Sequence, residues 1–133
     1  MREIVLPAAI DSIPKVTAWI DGELEQRGCA PAAQMQIDVA VDEIITNIAS
    51  YAYPEGGGDF SVCFSCEDGM AEMTFADSGI PYNPLEKPDP DTTLPAEQRP
   101  IGGLGIFLVR KMSDEVLYRY EGGKNILTIR KKI

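Results

Sequence analysis

The N-terminal half of the chain contains two segments whose apolar residues recur every three or four positions, which is the spacing of one helix face. The first segment predicts a helix that begins near Pro14 and stops at Gly28. The second predicts the longest element of the chain, a helix over about 31–53 that ends before a proline and three glycines. The apolar stripes consist of Ile13, Val16, Ile20 and Leu24 in the first helix, and of Ile37, Val41, Ile44 or Ile45, and Ile48 in the second.

Alternating apolar and polar residues, the pattern of half-buried strands, occur near the N-terminus and again in the middle of the chain. Residues 2–6 predict a short first strand. Residues 60–66 and 71–75 alternate on either side of Asp68-Gly69, a pair that favours a tight turn. The middle of the chain therefore predicts a β-hairpin.

The C-terminal half begins with a long segment that lacks periodicity. Residues 78–100 contain six prolines and several charges. Loops of this length inside a compact domain are usually lids, binding loops or disordered segments. A helix over about 103–112 follows, and then two strands over about 115–121 and 125–131 joined at Gly122-Gly123.

Length and charge restrict the class of protein. A chain of 133 residues without an internal repeat or a dividing linker predicts one domain over residues 1–133. The formal charge is −9, with 21 acidic against 12 basic residues, which disfavours direct binding to nucleic acid or to an anionic membrane and favours a basic protein partner. No apolar run reaches the ~18 residues of a membrane span, and the start does not resemble a secretory signal. We expect a cytoplasmic protein.

The histidine and cysteine content restricts the chemistry. The chain has no histidine, which excludes histidine-based zinc sites, Ser-His-Asp catalysis and a phosphohistidine carried by the chain itself. Three cysteines, an odd number, argue against a disulfide framework. Cys63 and Cys66 have the spacing of a redox motif, but positions three apart in a strand point to opposite faces, so packing thiols are expected.

Glu43 and Asn47 are the first candidate functional pair. They stand four residues apart in the second predicted helix and therefore share a helix face beside its apolar stripe. An asparagine carbonyl is a suitable Mg²⁺ ligand, and a glutamate one turn away could orient or deprotonate a nucleophile that attacks a γ-phosphate. Considered alone, the pair also fits a solvated helix face.

The second candidate is the segment Asp77-Ser78-Gly79, which follows the second strand of the predicted hairpin. A carboxylate at a strand end can accept a hydrogen bond, for example from an adenine amino group. Gly79 would let the edge of the base lie close to the backbone. An ordinary Asp-Ser-Gly turn explains the same residues.

The third candidate is the glycine-rich start of the predicted helix at 103–112. Gly102, Gly103 and Gly105 expose backbone N–H groups where the helix dipole favours a phosphate. The spacing matches neither the dinucleotide-binding fingerprint nor the P-loop. The apolar residues that follow, from Ile106 onward, are most simply core, but each glycine costs helix stability without an evident structural gain.

These three motifs, in this order, resemble those of the GHKL ATPase superfamily, which includes DNA gyrase and histidine kinases. More narrowly, the chain resembles the bacterial anti-sigma factor serine/threonine kinases over nearly its whole length. The resemblance implies an α/β (α+β) two-layer sandwich of the Bergerat type, with a mixed, mostly antiparallel sheet and helices on one face. It also implies that ATP binds between the helical layer and a lid over about 78–102.

The resemblance further assigns roles to individual residues. It implies that Glu43 is the general base and that Asn47 is the magnesium ligand. It makes Asp77 the residue that recognises adenine, with Gly79 beside it. The phosphate-binding glycine box and its flanks would comprise Gly102, Gly103, Leu104, Gly105 and Ile106.

Two residues depart from the family pattern. Some relatives carry a lid arginine close to the glycine box, but Arg99 stands two positions farther from Gly103 than that pattern. Asn125 occupies roughly the place where a threonine often assists adenine binding through the last strand, and the resemblance makes it a candidate cofactor-binding residue. Its alignment depends on its alternation with Leu127 and Ile129.

The resemblance implies an ATP- and Mg²⁺-dependent protein kinase that sequesters a sigma factor and phosphorylates an anti-anti-sigma protein of the STAS class. A homodimer is compatible with the same resemblance. Two alternatives stay open: a nucleotide-sensing module that captures a partner without phosphorylating it, and an interaction domain that binds no nucleotide. The sequence identifies neither the sigma factor nor the phosphorylated hydroxyl.

Overall fold

A computed structural model describes residues 2–86 and 103–133 of the chain. Within these residues the chain forms three α-helices and five strands, together with two short 3₁₀ turns and one π-helical turn. The α-helices are α1 (Ile13–Gln26), α2 (Pro31–Asn47) and α3 (Gly103–Met112). The strands are β1 (Arg2–Pro7), β2 (Asp59–Glu67), β3 (Met70–Asp77), β4 (Glu115–Glu121) and β5 (Lys124–Lys132).

The strands form one sheet in the order β1-β2-β3-β5-β4. Each pair of neighbouring strands in the described sheet is antiparallel, so this sheet is antiparallel throughout and not mixed as the resemblance implied. β5 therefore lies between β3 and β4, so the C-terminal hairpin adds to the sheet through its second strand. This register places Asp77, at the end of β3, directly opposite Asn125 near the start of β5.

The core lies between one face of the sheet and the helices. Alternate residues of β2, β3 and β5 are buried, as the period of a strand requires, and the intervening residues are more exposed. The largest fully buried side chains come from both layers: Phe60, Phe64, Phe75, Met73 and Ile129 from the strands, and Ile20, Leu24, Ile37, Ile44, Ile45 and Ile106 from the helices. The predicted two-layer α+β sandwich is thus confirmed.

The predicted elements agree closely with those observed, with one difference at the end of the second helix. That helix was expected to continue to about residue 53, but the α-helical hydrogen bonding ends at Asn47 and a π-helical turn, Ile48–Ala52, follows. The hairpin turn is formed as expected by Asp68 and Gly69, whose φ angles are 54° and 77°. Among the described residues, no helix has the length and apolar character needed to cross a membrane.

Candidate nucleotide site

A cavity lies between the last turns of α2, the π-helical turn and the end of the sheet at which β3 terminates. Most of its walls are apolar or aromatic, and three polar side chains, those of Asn47, Asp77 and Asn125, reach it. An apolar concave site with a few polar groups is typical of a small-molecule pocket. The other lining residues are Ile44, Ile48, Tyr51, Ala52, Phe75, Ile80, Tyr82, Pro84, Tyr118 and Leu127.

Asp77 supplies a carboxylate to this cavity, and its residue is only 7% exposed. Its Oδ1 atom accepts hydrogen bonds from the backbone N–H of Gly79 and from the Nδ2 of Asn125, both at 2.9 Å. Its Oδ2 atom accepts no hydrogen bond from the rest of the described chain. Because Asp77 lines the cavity, this unbonded oxygen is suited to accept a hydrogen bond from a ligand.

Asn125 is equally buried, at 7% exposure, and both the Nδ2 and the Oδ1 of its side-chain amide form hydrogen bonds. Its Nδ2 atom donates to Asp77 and, at 2.8 Å, to the carbonyl of Ile80. Its Oδ1 atom accepts from the backbone N–H of Tyr82 at 3.0 Å and from the hydroxyl of Tyr118 at 2.5 Å. The amide thus joins two strands to the segment that follows Asp77.

Gly79 is packed against the backbone of the π-helical turn. A Cβ atom at this position would lie 2.2 Å from the carbonyl oxygen of Ala52 and 2.6 Å from its carbonyl carbon. The N–H of Ile80 donates to the same carbonyl oxygen at 2.9 Å. The contact between Gly79 and Ala52 therefore accounts for a glycine at this position, whereas the approach of an adenine edge stays a prediction.

Glu43 and Gly105 meet where α2 packs against α3. A Cβ atom on Gly105 would lie 2.7 Å from the Oε2 of Glu43, so the missing side chain leaves the space that this carboxylate occupies. Partial burial, and to a smaller extent the nearby charge of Asp42, raise the pKa of Glu43 above its ordinary value. The carboxylate therefore faces the first turns of α3, where backbone N–H groups lack helical partners.

Asn47 is the last residue of α2 and one of the residues that line the cavity. Glu43 lies one turn before it, about 6 Å along the helix axis, and is not among the lining residues. The π-helical turn begins directly after Asn47, and such turns are frequent at functional sites. The structure thus places Asn47 between the cavity and the contact of Glu43 with α3.

The glycine-rich segment is described only in part. Gly103 and Leu104 belong to the first turn of α3, while Gly102 and Arg99 lie outside the described residues. The side chain of Ile106 is buried in the core at 1% exposure, so only its backbone could contact a ligand. The lid predicted over about 78–102 falls outside the described chain from residue 87 onward.

Three tyrosines of the cavity were not predicted from the sequence. Tyr51 and Tyr82 stack with their ring centroids 5.6 Å apart and an angle of 26° between the ring planes. Tyr118 bonds to Asn125 from the neighbouring strand. Tyr51 follows Asn47 by four residues and so could have been found from helical spacing, whereas Tyr82 lies in a loop without a periodic signal.

The cysteines behave as packing thiols. Cys29, Cys63 and Cys66 are all unbridged. Cys63 lies on the sheet face away from the helices and donates to the Oε2 of Glu3 at 3.1 Å, whereas Cys66 packs against the core. Burial and the hydrogen bond with Glu3 raise the pKa of Cys63 to about 11, which keeps it a thiol at neutral pH.

Comparison with known proteins agrees with this fold. The family model described as "Histidine kinase-like ATPase domain" matches residues 6–131. The serine-protein kinases RsbW of Bacillus mycoides and Bacillus anthracis are each 26% identical to the chain over 129 residues, which is 94% of this chain and 81% of theirs.

Solved structures show the same fold. The RsbU and RsbW domains of a Mycobacterium tuberculosis protein align with a TM-score of 0.65 at 14% identity, covering 99% of this chain and 32% of theirs. The histidine kinase domain of a blue-light activated kinase from Erythrobacter litoralis aligns with a TM-score of 0.59 at 19% identity, covering 96% of this chain and 61% of its own. Because the family model matches residues 6–131, which is most of the sequence, the chain belongs to the histidine kinase-like ATPase domain family.

Proposed function

We propose that this protein is an ATP- and Mg²⁺-dependent serine/threonine kinase that sequesters a sigma factor and phosphorylates an anti-anti-sigma protein of the STAS class. The observation that carries the proposal is the cavity that Asp77 and Asn47 both line, with the Oδ2 of Asp77 unbonded in the described chain and Glu43 one helical turn from Asn47. The 26% identity to proteins named serine-protein kinase RsbW supports the same activity.

Adenine fits the cavity on chemical grounds. The ring system is flat and apolar on its faces, as the aromatic and aliphatic walls require, and its amino group is a hydrogen-bond donor. The Oδ2 atom of Asp77 is the acceptor for that donor. Guanine carries an oxygen at the corresponding position, which would face the carboxylate without a bridging proton.

Asn47 is the residue that would hold magnesium. In the described part of the chain, no cluster of three or more histidine, cysteine or acidic side chains is arranged to bind a metal. Mg²⁺ often uses only one or two protein ligands and takes its remaining ligands from water and substrate phosphates. When bound, Mg-ATP supplies the transferable phosphoryl group and the cation that neutralises its developing charge.

Glu43 would accept the proton of the substrate hydroxyl. Its raised pKa makes it a stronger base than an exposed glutamate. The first turns of α3, which Glu43 faces, would present backbone N–H groups to the phosphates, including those of Gly103, Leu104 and Gly105. Most of the rate enhancement would come from this positioning and from electrostatic stabilisation.

The decisive experiment combines Glu43→Gln with a transfer assay. Radiolabelled ATP, Mg²⁺ and the cognate STAS-domain protein are incubated with each chain, and ATP binding is measured separately by calorimetry. We expect Glu43→Gln to retain ATP affinity within about threefold and to lose about 10³-fold in the transfer rate. Glu67→Gln, an exposed glutamate at the end of β2, is the matched control and should transfer at the normal rate.

The outcomes separate the candidate functions. Normal transfer by Glu43→Gln would show that another group is the base. Tight ATP binding by the unmodified chain with no phosphoprotein would favour a nucleotide-sensing module over a kinase. Absence of ATP and ADP binding would contradict the proposal altogether. Retention of a labelled sigma factor on the immobilised chain tests the sequestration.

A further inference from the structure

The amide of Asn125 has no hydrogen-bonding capacity left for a ligand. A side-chain amide offers two N–H donors and one oxygen with two lone pairs. The two donors are used by Asp77 and by the carbonyl of Ile80, and the oxygen accepts from Tyr82 and Tyr118. Any contact between this amide and adenine would have to displace one of these four bonds.

The orientation of the amide is determined by its backbone partners. The N–H of Tyr82 can only donate, and the carbonyl of Ile80 can only accept. A flipped amide would turn its oxygen toward two acceptors, the Ile80 carbonyl and the Asp77 carboxylate, and its Nδ2 toward the N–H of Tyr82, which is a donor. The donor side of Asn125 therefore faces Asp77.

We infer that Asn125 is a positioning residue for adenine recognition, which acts by holding the carboxylate of Asp77 and does not contact the base. This inference rests on the proposed function, because it concerns the same pocket. The bond from Nδ2 joins that from the N–H of Gly79 on Oδ1, and the two bonds together fix the rotation of the carboxylate, so that Oδ2 is the oxygen left for the ligand. A threonine hydroxyl, with its single donor, could not make the same set of contacts.

The same amide also holds one wall of the pocket. Its bonds to the backbone of Ile80 and Tyr82 anchor the segment that follows β3, and both of these residues line the cavity. The residues assigned to the transfer step lie on other elements, since the general base Glu43 belongs to α2 and the phosphate-binding Gly105 to α3. Loss of Asn125 should therefore weaken base binding and leave the transfer step intact at saturating ATP.

The test compares two nucleotides that differ by one group. ATP carries the amino group that Asp77 would bind, whereas the triphosphate of purine riboside lacks it. Affinities of the full chain and of Asn125→Ala are measured for both nucleotides with Mg²⁺. We expect Asn125→Ala to weaken ATP binding about tenfold and to weaken binding of purine riboside triphosphate by a much smaller factor, because that nucleotide loses only the support of the pocket wall and not the contact with Asp77.

A kinetic measurement gives a second readout. For Asn125→Ala we expect the KM for ATP to rise about tenfold while kcat stays within twofold of the normal value. Thr128→Val, on the opposite face of the same strand, is the matched control and should change neither constant. An equal loss of affinity for both nucleotides would overturn the inference, because it would mean that Asn125 contacts the base directly or only maintains the pocket.

Asn125→Asp provides a variant of nearly the same shape if the alanine chain does not fold. At pH 8 the introduced carboxylate would face Asp77 and the Ile80 carbonyl, so ATP affinity should fall at least tenfold. At lower pH the introduced carboxyl becomes protonated and can donate again, so affinity should recover relative to the unmodified chain. A pH-independent loss would contradict a donor role for this position.

The two proposals fail in different ways. If the unmodified chain binds neither nucleotide, the proposed function is wrong. If the unmodified chain prefers ATP to purine riboside triphosphate and both Asn125 variants keep that preference, only the inference about Asn125 is wrong.

Discussion

The two ends of the candidate site differ in how much of each is already held by the protein. At the base end, Asp77 and Asn125 belong to a network whose hydrogen bonds measure 2.5–3.0 Å. At the phosphate end, Glu43 and Asn47 make no side-chain hydrogen bond to the rest of the described chain. The base end is thus preorganised by the protein, whereas the side chains at the phosphate end are not held by hydrogen bonds within the described chain.

This difference follows from the elements that build each end. Asp77 and Asn125 lie on neighbouring strands, whose backbone ladder fixes the distance between them. Glu43 and Gly105 lie on two helices that touch through side-chain and glycine contacts, which adapt more readily. A bulkier residue at the base end should therefore destabilise the fold. A bulkier residue at the phosphate end should leave the fold intact and lower the rate of phosphoryl transfer.

The largest effect is expected for Gly79→Ala at the base end. The new Cβ would lie 2.2 Å from the backbone oxygen of Ala52, and backbone cannot move as a side-chain tip can. We expect the free energy of unfolding to fall by about 3 kcal/mol in thermal or urea denaturation. Gly22→Ala is the matched control: its Cβ meets nothing within 4 Å, so the higher helix propensity of alanine should raise stability.

Asp77→Asn should produce the next largest effect, on affinity. The N–H of Gly79 and the Nδ2 of Asn125 both require an oxygen at the Oδ1 position, so the new amide would turn its NH2 toward the adenine amino group. Two donors would then face each other, and calorimetry should show ATP binding about 30-fold weaker. Asp68→Asn is the control, since that residue lies in the hairpin turn with a φ of 54°, which asparagine tolerates. Unchanged ATP affinity in Asp77→Asn would show that the base binds elsewhere.

Gly105→Ala tests the phosphate end. The added Cβ would lie 2.7 Å from the Oε2 of Glu43, the far end of a flexible side chain, so the carboxylate should move and the fold should persist. We expect kcat to fall about tenfold with the melting temperature unchanged or slightly higher. A marked loss of stability, comparable with that of Gly79→Ala, would remove the distinction between the two ends.

The smallest effect concerns the pH dependence of the transfer rate. A general base must be deprotonated, so the rate rises with pH through the pKa of Glu43, and the raised pKa places this rise at a higher pH than for an exposed glutamate. Asp42→Asn removes the smaller cause of the raised pKa and should move the rise to lower pH. A shift to higher pH would contradict the assignment of Glu43 as the base.

The helices and strands were largely predictable because their patterns are local. The helix expected over about 103–112 is α3, Gly103–Met112, and the hairpin turn lies at Asp68-Gly69. The π-helical turn after Asn47 was not predicted, since proline and glycine mark where a helix ends but carry no information about its hydrogen-bond register. The periodicity of apolar residues indicates which face of a helix is buried. It does not indicate which backbone carbonyl accepts the hydrogen bond of each N–H.

The candidate residues were predictable as a set, but their contacts were not. Spacing alone brought Glu43 and Asn47 onto one helix face. The pairing of Asp77 with Asn125 depends on β5, rather than β4, adding to β3, and no local pattern indicates that order. The role of Gly79 was likewise not predictable, because its neighbour, Ala52, comes from a different element.

The strand order also has a consequence for the time at which the site can form. β3 has β5 as its partner on one side, and β5 is the last strand of the described chain. During synthesis, one edge of β3 therefore stays without its partner strand, and Asp77 without Asn125, until the β4–β5 hairpin has left the ribosome. Nucleotide can complete its contacts with this site only after that moment, so ATP should stabilise chains that include β5 and not shorter fragments.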